Sequence, residues 1–413
     1  MYNIAVAQSG GPTCAINASL AGVFRGAADE SVIGTVYGAL NGISGVIDER
    51  FVNLNELLED EKNYNLLKYT PSTLLGSCRI KLPHYNEDSS CYERIFRVFK
   101  RYNIGAFFYI GGNDSMDTVC KLSEYARETG SSIRIIGIPK TIDNDVMATD
   151  HTPGFGSAVK FIATSVSEIV RDSSVYNVNS VTIIEIMGRD AGWLTASACV
   201  LHKNGEAAPH LIYLPETPFD EERFIRDIRK VQQKHQAVIV AVSEGLKNAE
   251  GQYTANGHIS ETVDVFGHQY LSGLGKYLES IVKSKIGCKV RSVELNVLQR
   301  CAGHLSSLTD INEAELIGRS AVRTALEGET GKMMVFSRVS DSPYKIVIET
   351  AEIQRTANKE KLFPKEWINE HGNNVSDKAL PYFIPLIQGE AAIPMKNGLP
   401  EYLVLKQPIP VSR

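Results

Sequence analysis

The chain has 413 residues, of which 43% are hydrophobic and 22% charged, so it can bury the cores of more than one domain and is not globally disordered. Its formal net charge of -5 argues against a nucleic-acid surface but leaves room for a local basic pocket that takes phosphate. The seven cysteines are scattered and never spaced C-x-x-C, as a reducing cytoplasm permits, and no apolar stretch forms a secretory leader or approaches a membrane span.

From the start of the chain, apolar runs closed by Gly- or Pro-bearing turns predict buried parallel strands at residues 4–8, 106–110, 135–138, 181–186, 211–214 and 237–242. Between them, Ser115 is placed to cap a helix whose first inward residues are Met116, Val119 and Cys120. Helical spacing recurs in Phe161, Ile162, Ser165, Val166, Ile169 and Val170, and again in Leu271, Leu274, Leu278, Ile281 and Val282. A further strand is predicted at 344–348, and Pro408 and Pro410 predict an extended surface tail. Strands alternating with helices from end to end predict an α/β architecture with parallel sheets.

In such sheets ligands collect beyond the carboxyl ends of the strands. Three predicted strand ends carry suitable loops. Gln8-Ser9-Gly10-Gly11-Pro12 lets backbone approach an anion, though alone it is as readily a tight turn. Gly111-Gly112-Asn113-Asp114-Ser115 repeats the arrangement before a helix start, whose amides and positive dipole end favour phosphate. Pro139-Lys140-Thr141-Ile142-Asp143-Asn144-Asp145 sets two carboxylates two residues apart. A lone D-N-D is more often a solvated Asx turn, but after a strand it also suits phosphoryl transfer, where one carboxylate takes a hydroxyl proton and others hold Mg²⁺. No G-x-G-x-x-G follows the first strand, which disfavours a dinucleotide-dependent dehydrogenase, and no zinc spacing or Ser-His-Asp order is present. His304 and Trp193, near these motifs, read as packing residues.

Gly-Gly-x-x-Ser, P-x-T-I-D-N-D, Met187-Gly188-Arg189-Asp190-Ala191-Gly192 and Gln299-Arg300, in this order, resemble the 6-phosphofructokinase family across residues 4–327. The resemblance implies phosphoryl transfer to the 1-hydroxyl of fructose 6-phosphate, with two similar three-layer lobes, each on a parallel sheet, and the active site in the cleft between them. It implies a donor-binding lobe at 1–153, to which about 301–350 return, a sugar-phosphate lobe at 154–300, and an extension of unclear role at 351–413. By the same resemblance Asp143 is the general base, Thr141 a donor near the transferred group, and Asp145 acts beside it through the metal or through charge balance. Gly11 and Arg79 face the donor; Ile142, Met187, Gly188, Arg189 and Glu244 line the sugar; Arg291 and Arg300 grip the 6-phosphate, bidentately as guanidinium allows.

Nucleotide-using members have glycine at the positions of both Asp114 and Lys140. A carboxylate at Asp114 fills and repels the α-phosphate space, and Lys140 adds a cation where leaving-group charge develops, so the resemblance is to the diphosphate-dependent subgroup. Asn113 stands where many members carry a metal-binding aspartate. Either the acidic role shifts to Asp114, or diphosphate itself carries most of the Mg²⁺, with Asn113 and Asp145 as the protein's contribution. Ser180 and Val297 replace an arginine and a histidine of bacterial nucleotide-using relatives, and Ala21 replaces an effector-site arginine. The family implies a cytoplasmic homodimer, because its sugar sites borrow arginines across the interface. The competing expectations are an ATP-dependent 6-phosphofructokinase and a catalytically silent sugar-phosphate-binding regulatory subunit; sedoheptulose 7-phosphate is a second candidate sugar.

Overall fold

Along the first strand Ile4 and Val6 join the core on one face, and Ala5 and Ala7 join the core on the other. A strand apolar on both sides has to be covered by helices on both sides. The computed structural model describes residues 1–254, 273–356 and 359–405. Its main strands, in chain order, are β1 (Tyr2–Gln8), β2 (Ile33–Ala39), β3 (Phe51–Asn53), β4 (Ile104–Gly111), β5 (Arg134–Pro139) and β6 (Ser180–Ile186). They continue with β7 (Leu211–Tyr213), β8 (Ala237–Ser243), β9 (Lys289–Glu294), β10 (Lys332–Asp341) and β11 (Tyr344–Glu352). The helices that matter for the site are α1 (Ile16–Ala28), α2 (Asn113–Glu128), α3 (Phe155–Ser173), α4 (Leu274–Lys285) and α5 (Leu308–Leu326).

The larger lobe is a seven-stranded sheet in the order β11-β10-β5-β4-β1-β2-β3, parallel except for β3 and β11 at its edges. Ile4 lies opposite Val36 on one side and Ala106 on the other, so the winding reverses at β1 and the loops after β1 and β4 open beside one another. Backbone bonds fix the contact. Ser9 N–H donates to the Ile110 carbonyl and Lys140 N–H to the Gly111 carbonyl, both at 2.9 Å.

The smaller lobe is an all-parallel sheet in the order β7-β8-β6-β9. Ile184, Ile186, Ile239 and Ala241 pack on the α3 side, while Val181, Ile183, Val238 and Val240 pack with Leu274, Leu278, Ile281 and Val282 of α4. After Arg300 the chain returns to the larger lobe: α5 lies along α1, and β10 pairs in parallel with β5, Lys332 opposite Ile136. Asp310, in the first turn of α5, holds the return in place. Its carboxylate accepts from Gly154 N–H (2.8 Å), Ser157 N–H (3.0 Å) and the Ser157 hydroxyl (2.5 Å), capping α3 whose own N-cap residue is a glycine. Residues 359–405 then span both lobes, with Phe363 and Phe383 in the core beneath α3 and Leu403 in the core of the larger lobe.

All six strands predicted from apolar runs are present, within a residue or two at their ends. The strand predicted at 344–348 runs on to Glu352 and is an antiparallel edge. β2, β3, β9 and β10 were not foreseen. β2 is interrupted by glycines, and β9 is a half-exposed edge with polar residues through it, so neither presents a continuous apolar run. Ser115 does not cap α2. The N-cap is Gly112 and Ser115 sits a turn inside, buried against Gly111, although Met116 and Val119 do point into the core. Leu271 and the Pro408–Pro410 tail lie outside the described residues. Among the described residues no helix is long and apolar enough to cross a membrane.

Candidate active site

Three strand ends of the larger lobe and three of the smaller face one another. In the larger lobe the Lys140 side chain is only 1% exposed, and its ammonium donates to the Gly11 carbonyl at 2.5 Å. Burial lowers its pKa to about 8 against the pull of Asp143. Thr141 belongs to the turn itself: its hydroxyl donates to Asp143 Oδ2 (3.3 Å) and accepts from Asp143 N–H (3.1 Å), while its carbonyl takes the Thr152 hydroxyl. Ile142 is buried between them in the core of the smaller lobe.

The backbone of the D-N-D turn explains its middle residue. Asn144 has φ 55°, in the left-handed region that Asn tolerates better than most residues. Its side chain is fully buried, with Nδ2 donating to the Tyr382 hydroxyl at 2.7 Å. The flanking carboxylates have different neighbours. Asp143 faces the charges of Lys140, Arg189 and Arg300, which oppose the upward push of burial on its pKa. Asp145 is raised to about 7 by burial and by Asp143, and its Oδ2 accepts from Asn113 Nδ2 at 3.0 Å.

That bond leaves the Asn113 carbonyl oxygen buried with no hydrogen-bond partner. An orphaned amide oxygen beside a carboxylate is a fitting start for a hard, oxygen-seeking cation. Among the described residues no three His, Cys, Asp or Glu side chains group as a metal site, so further oxygens have to come from elsewhere. Asp114 stands in the first turn of α2, where the helix dipole favours a carboxylate. Arg79 lies at the exposed rim, next to Cys78, whose carbonyl accepts the Ser9 hydroxyl at 3.3 Å.

The smaller lobe supplies the opposite wall. After β6, Met187 N–H donates to Gln299 Oε1 (3.2 Å) and Gly188 N–H to Glu244 Oε1 (3.4 Å). After β8 the Ser243 hydroxyl donates to the Gly188 carbonyl at 2.6 Å. Gly245 admits this contact because a β-carbon there would lie 1.6 Å from the Arg189 carbonyl oxygen. Burial and Asp143 together push Glu244 up to about 7. Arg300 crosses the cleft: its Nη1 lies 3.3 Å from where a side chain on Gly11 would begin, and its Nε is buried without a hydrogen-bond partner. Arg300 thus sits against the Gly10–Gly11 loop of the larger lobe although it follows β9 of the smaller one.

Arg291 alone of the predicted site residues is held apart. It lies on the edge strand β9, donates to Asp172 Oδ2 at 2.9 Å, and lines a shallow cavity with Ser173, Tyr176 and Lys289.

The family model for phosphofructokinase matches residues 3–325 of this chain. The chain belongs to the phosphofructokinase family. A relative from Xanthomonas campestris, a pyrophosphate--fructose 6-phosphate 1-phosphotransferase, is 39% identical over 407 residues, covering 98% of this chain and 96% of its own. Another of the same name, from Halomonas elongata, is 38% identical with 97% and 95% covered. Among solved structures, a pyrophosphate-dependent phosphofructokinase from Nitrosospira multiformis superposes with a TM-score of 0.86 at 35% identity, covering 98% of this chain and 96% of that one.

Three polar residues of the chain escaped the reading of the sequence. Glu185 accepts from Gly275 N–H at 2.6 Å and, with its pKa raised to about 6 by burial, backs Glu244 from within β6. Glu216 accepts from Gly192 N–H and Phe363 N–H. Lys361 donates to Asn144 Oδ1 and to the Thr149 and Asp150 carbonyls. A glutamate at the buried end of a strand was a visible signal for the first; the other two act only through the fold.

Proposed function

We propose that this protein transfers a phosphoryl group from inorganic diphosphate to the 1-hydroxyl of fructose 6-phosphate, giving fructose 1,6-bisphosphate and phosphate, reversibly and in the cytoplasm. The observation that carries the reading is the buried Lys140 ammonium on the Gly11 carbonyl, one turn from Asp143. It puts a fixed cation between the donor loop and the reacting hydroxyl's base, where charge develops on the leaving phosphate. Asp143 removes the hydroxyl proton, its pKa lifted by burial toward the working range of a base. Arg300, reaching the Gly11 loop, orients the transferred group as well as the sugar phosphate. Glu244, Met187, Gly188 and Arg189 hold the sugar, and Gly11 and Arg79 the donor.

The residues fit Mg²⁺. The Asn113 carbonyl oxygen and Asp145 would hold it together with diphosphate oxygens, and when bound it supplies charge neutralisation of the donor. This favours the arrangement in which diphosphate provides most of the ligands. Arg291, turned toward Asp172 on the outer edge, serves the 6-phosphate of a partner's site in a homodimer.

Spectrophotometric assay of the purified protein with diphosphate and with ATP separates the readings. Turnover with diphosphate and none with ATP is expected; the reverse sinks the proposal, and sugar binding without turnover would mark a silent regulatory subunit. Asp114→Gly should admit ATP at measurable rates while weakening use of diphosphate. If diphosphate kinetics are untouched in that variant, Asp114 has no part in donor choice.

A further inference from the structure

A strap from the last part of the chain passes directly behind the catalytic turn. Glu360 forms a β-bridge with Val146, and Lys361 N–H donates to the Asp145 carbonyl at 2.7 Å. The Lys361 ammonium reaches three acceptors in the turn and just after it: Asn144 Oδ1 (3.2 Å), the Thr149 carbonyl (3.0 Å) and the Asp150 carbonyl (2.7 Å). Three diverging acceptors match the three donors of an ammonium and leave it no further need of water.

The same strap is tied to the sugar wall. The Trp193 indole N–H donates to the Lys361 carbonyl at 2.8 Å, and the ammonium lies 5.0 Å from the centre of the Trp193 ring. Two residues on, Phe363 N–H donates to Glu216 Oε1, which also accepts from Gly192 N–H. Gly192 and Trp193 continue the segment that carries Met187, Gly188 and Arg189. One short peptide therefore bonds to the loop bearing the base and to the loop bearing the sugar wall.

We infer that the 360–363 strap fixes the two walls of the active site relative to each other, with Lys361 as the positioning residue for the Asp143–Asp145 turn. The inference rests on the phosphotransferase reading, since its effect is read in that reaction. No atom of Lys361 need touch substrate. Its side chain closes the back of a turn whose middle residue is in a left-handed conformation, while Thr141, Tyr382 and Asn113 bond to the rest of that turn. A misplacement near 1 Å in such a turn costs about 10²-fold in rate.

The test uses the full-length protein. Lys361→Met should lower kcat about 10²-fold, with KM for diphosphate and for fructose 6-phosphate within about threefold, because the phosphate and sugar contacts are elsewhere. Trp193→Phe, which keeps an aromatic ring but loses the indole donor to the strap, should cost at least about fivefold, the worth of one hydrogen bond. The double variant should lose less than the product of the two, since both act through one strap. Circular dichroism and thermal melts are run on every variant to set the folded fraction.

Wild-type kcat in Lys361→Met, a loss fully accounted for by unfolded protein, a change confined to KM, or strictly multiplicative losses in the double variant would each overturn the inference. Should Lys361→Met fail to fold, Trp193→Phe carries the test alone, and an unchanged kcat in it refutes the strap. If the unmodified protein turns over no diphosphate, the phosphotransferase reading fails instead, and the two failures are distinct.

Discussion

Replacing Lys140 by Met should make the protein more stable and nearly inactive. Lys140 is 1% exposed, and burial lowers its pKa from 10.5 to about 8. At roughly 1.4 kcal/mol per unit, holding the proton in the folded state costs roughly 3 kcal/mol at neutral pH. Methionine of similar length removes that penalty and gives up one hydrogen bond, worth about 1 kcal/mol, so a net gain of roughly 2 kcal/mol follows. The sign with pH is fixed by linkage. The unfolded lysine keeps its proton to a pH near 10.5 while the folded one loses it near 8, so the wild type gains stability as pH rises through that interval.

The advantage of Lys140→Met is therefore full below a pH of about 8 and gone by about 10.5. Activity moves the other way. Loss of a fixed charge aimed at the leaving phosphate should lower kcat by about 10²- to 10³-fold. Urea denaturation from pH 7 to 10 and steady-state kinetics in both directions check the pair. A variant less stable than wild type at pH 7, or one retaining kcat within fivefold, would refute the argument.

His151 is buried between Asp150 (2.8 Å) and Glu313 (2.8 Å), and these partners raise its pKa against the cost of burial. Its contribution is full below the unfolded value of about 6.5 and is lost as pH rises through the folded one, so the stability deficit of His151→Gln should be largest in mild acid and shrink toward alkaline pH. Asp310→Ala, which uncaps α3, should cost about 1–2 kcal/mol in urea melts, with the loss shared by both lobes because Asp310 joins them. Asn144→Gly keeps the left-handed backbone and loses both side-chain bonds. Asn144→Ala should be less stable than Asn144→Gly by about 1 kcal/mol, and equal stability would show that the backbone conformation matters little.

What the sequence made legible is set by how local each signal is. The buried strands were readable because burial on both faces demands an unbroken apolar run, and their ends place the Gly10–Gly11, Gly111–Gly112 and Asp143–Asp145 loops. β9 and β11 were missed or shortened because an edge strand needs only one apolar face or less. Ser115 misled because a cap is decided by one dihedral angle, and Gly112 takes that position. Lys361 stands in a charged stretch, Asn-Lys-Glu-Lys, more than two hundred residues after the turn it braces, and nothing in its neighbours marks it.

The net charge of the whole chain says little about this cleft, where the local arrangement decides each role. Burial raises both Asp143 and Asp145, and Asp143 raises Asp145 further, yet across the left-handed Asn144 the two have different neighbours. Asp143 faces three cations, Lys140, Arg189 and Arg300, whose attraction partly restores its carboxylate form. Asp145 accepts from the amide of Asn113, and of the cations named for it Lys361 opposes its upward shift. An aspartate in place of Asn113 would set a second carboxylate against Asp145 and raise both; the amide donates to Asp145 on one side and offers an oxygen on the other. An amide at position 113 is thus compatible with the proposed cation held chiefly by its anionic substrate.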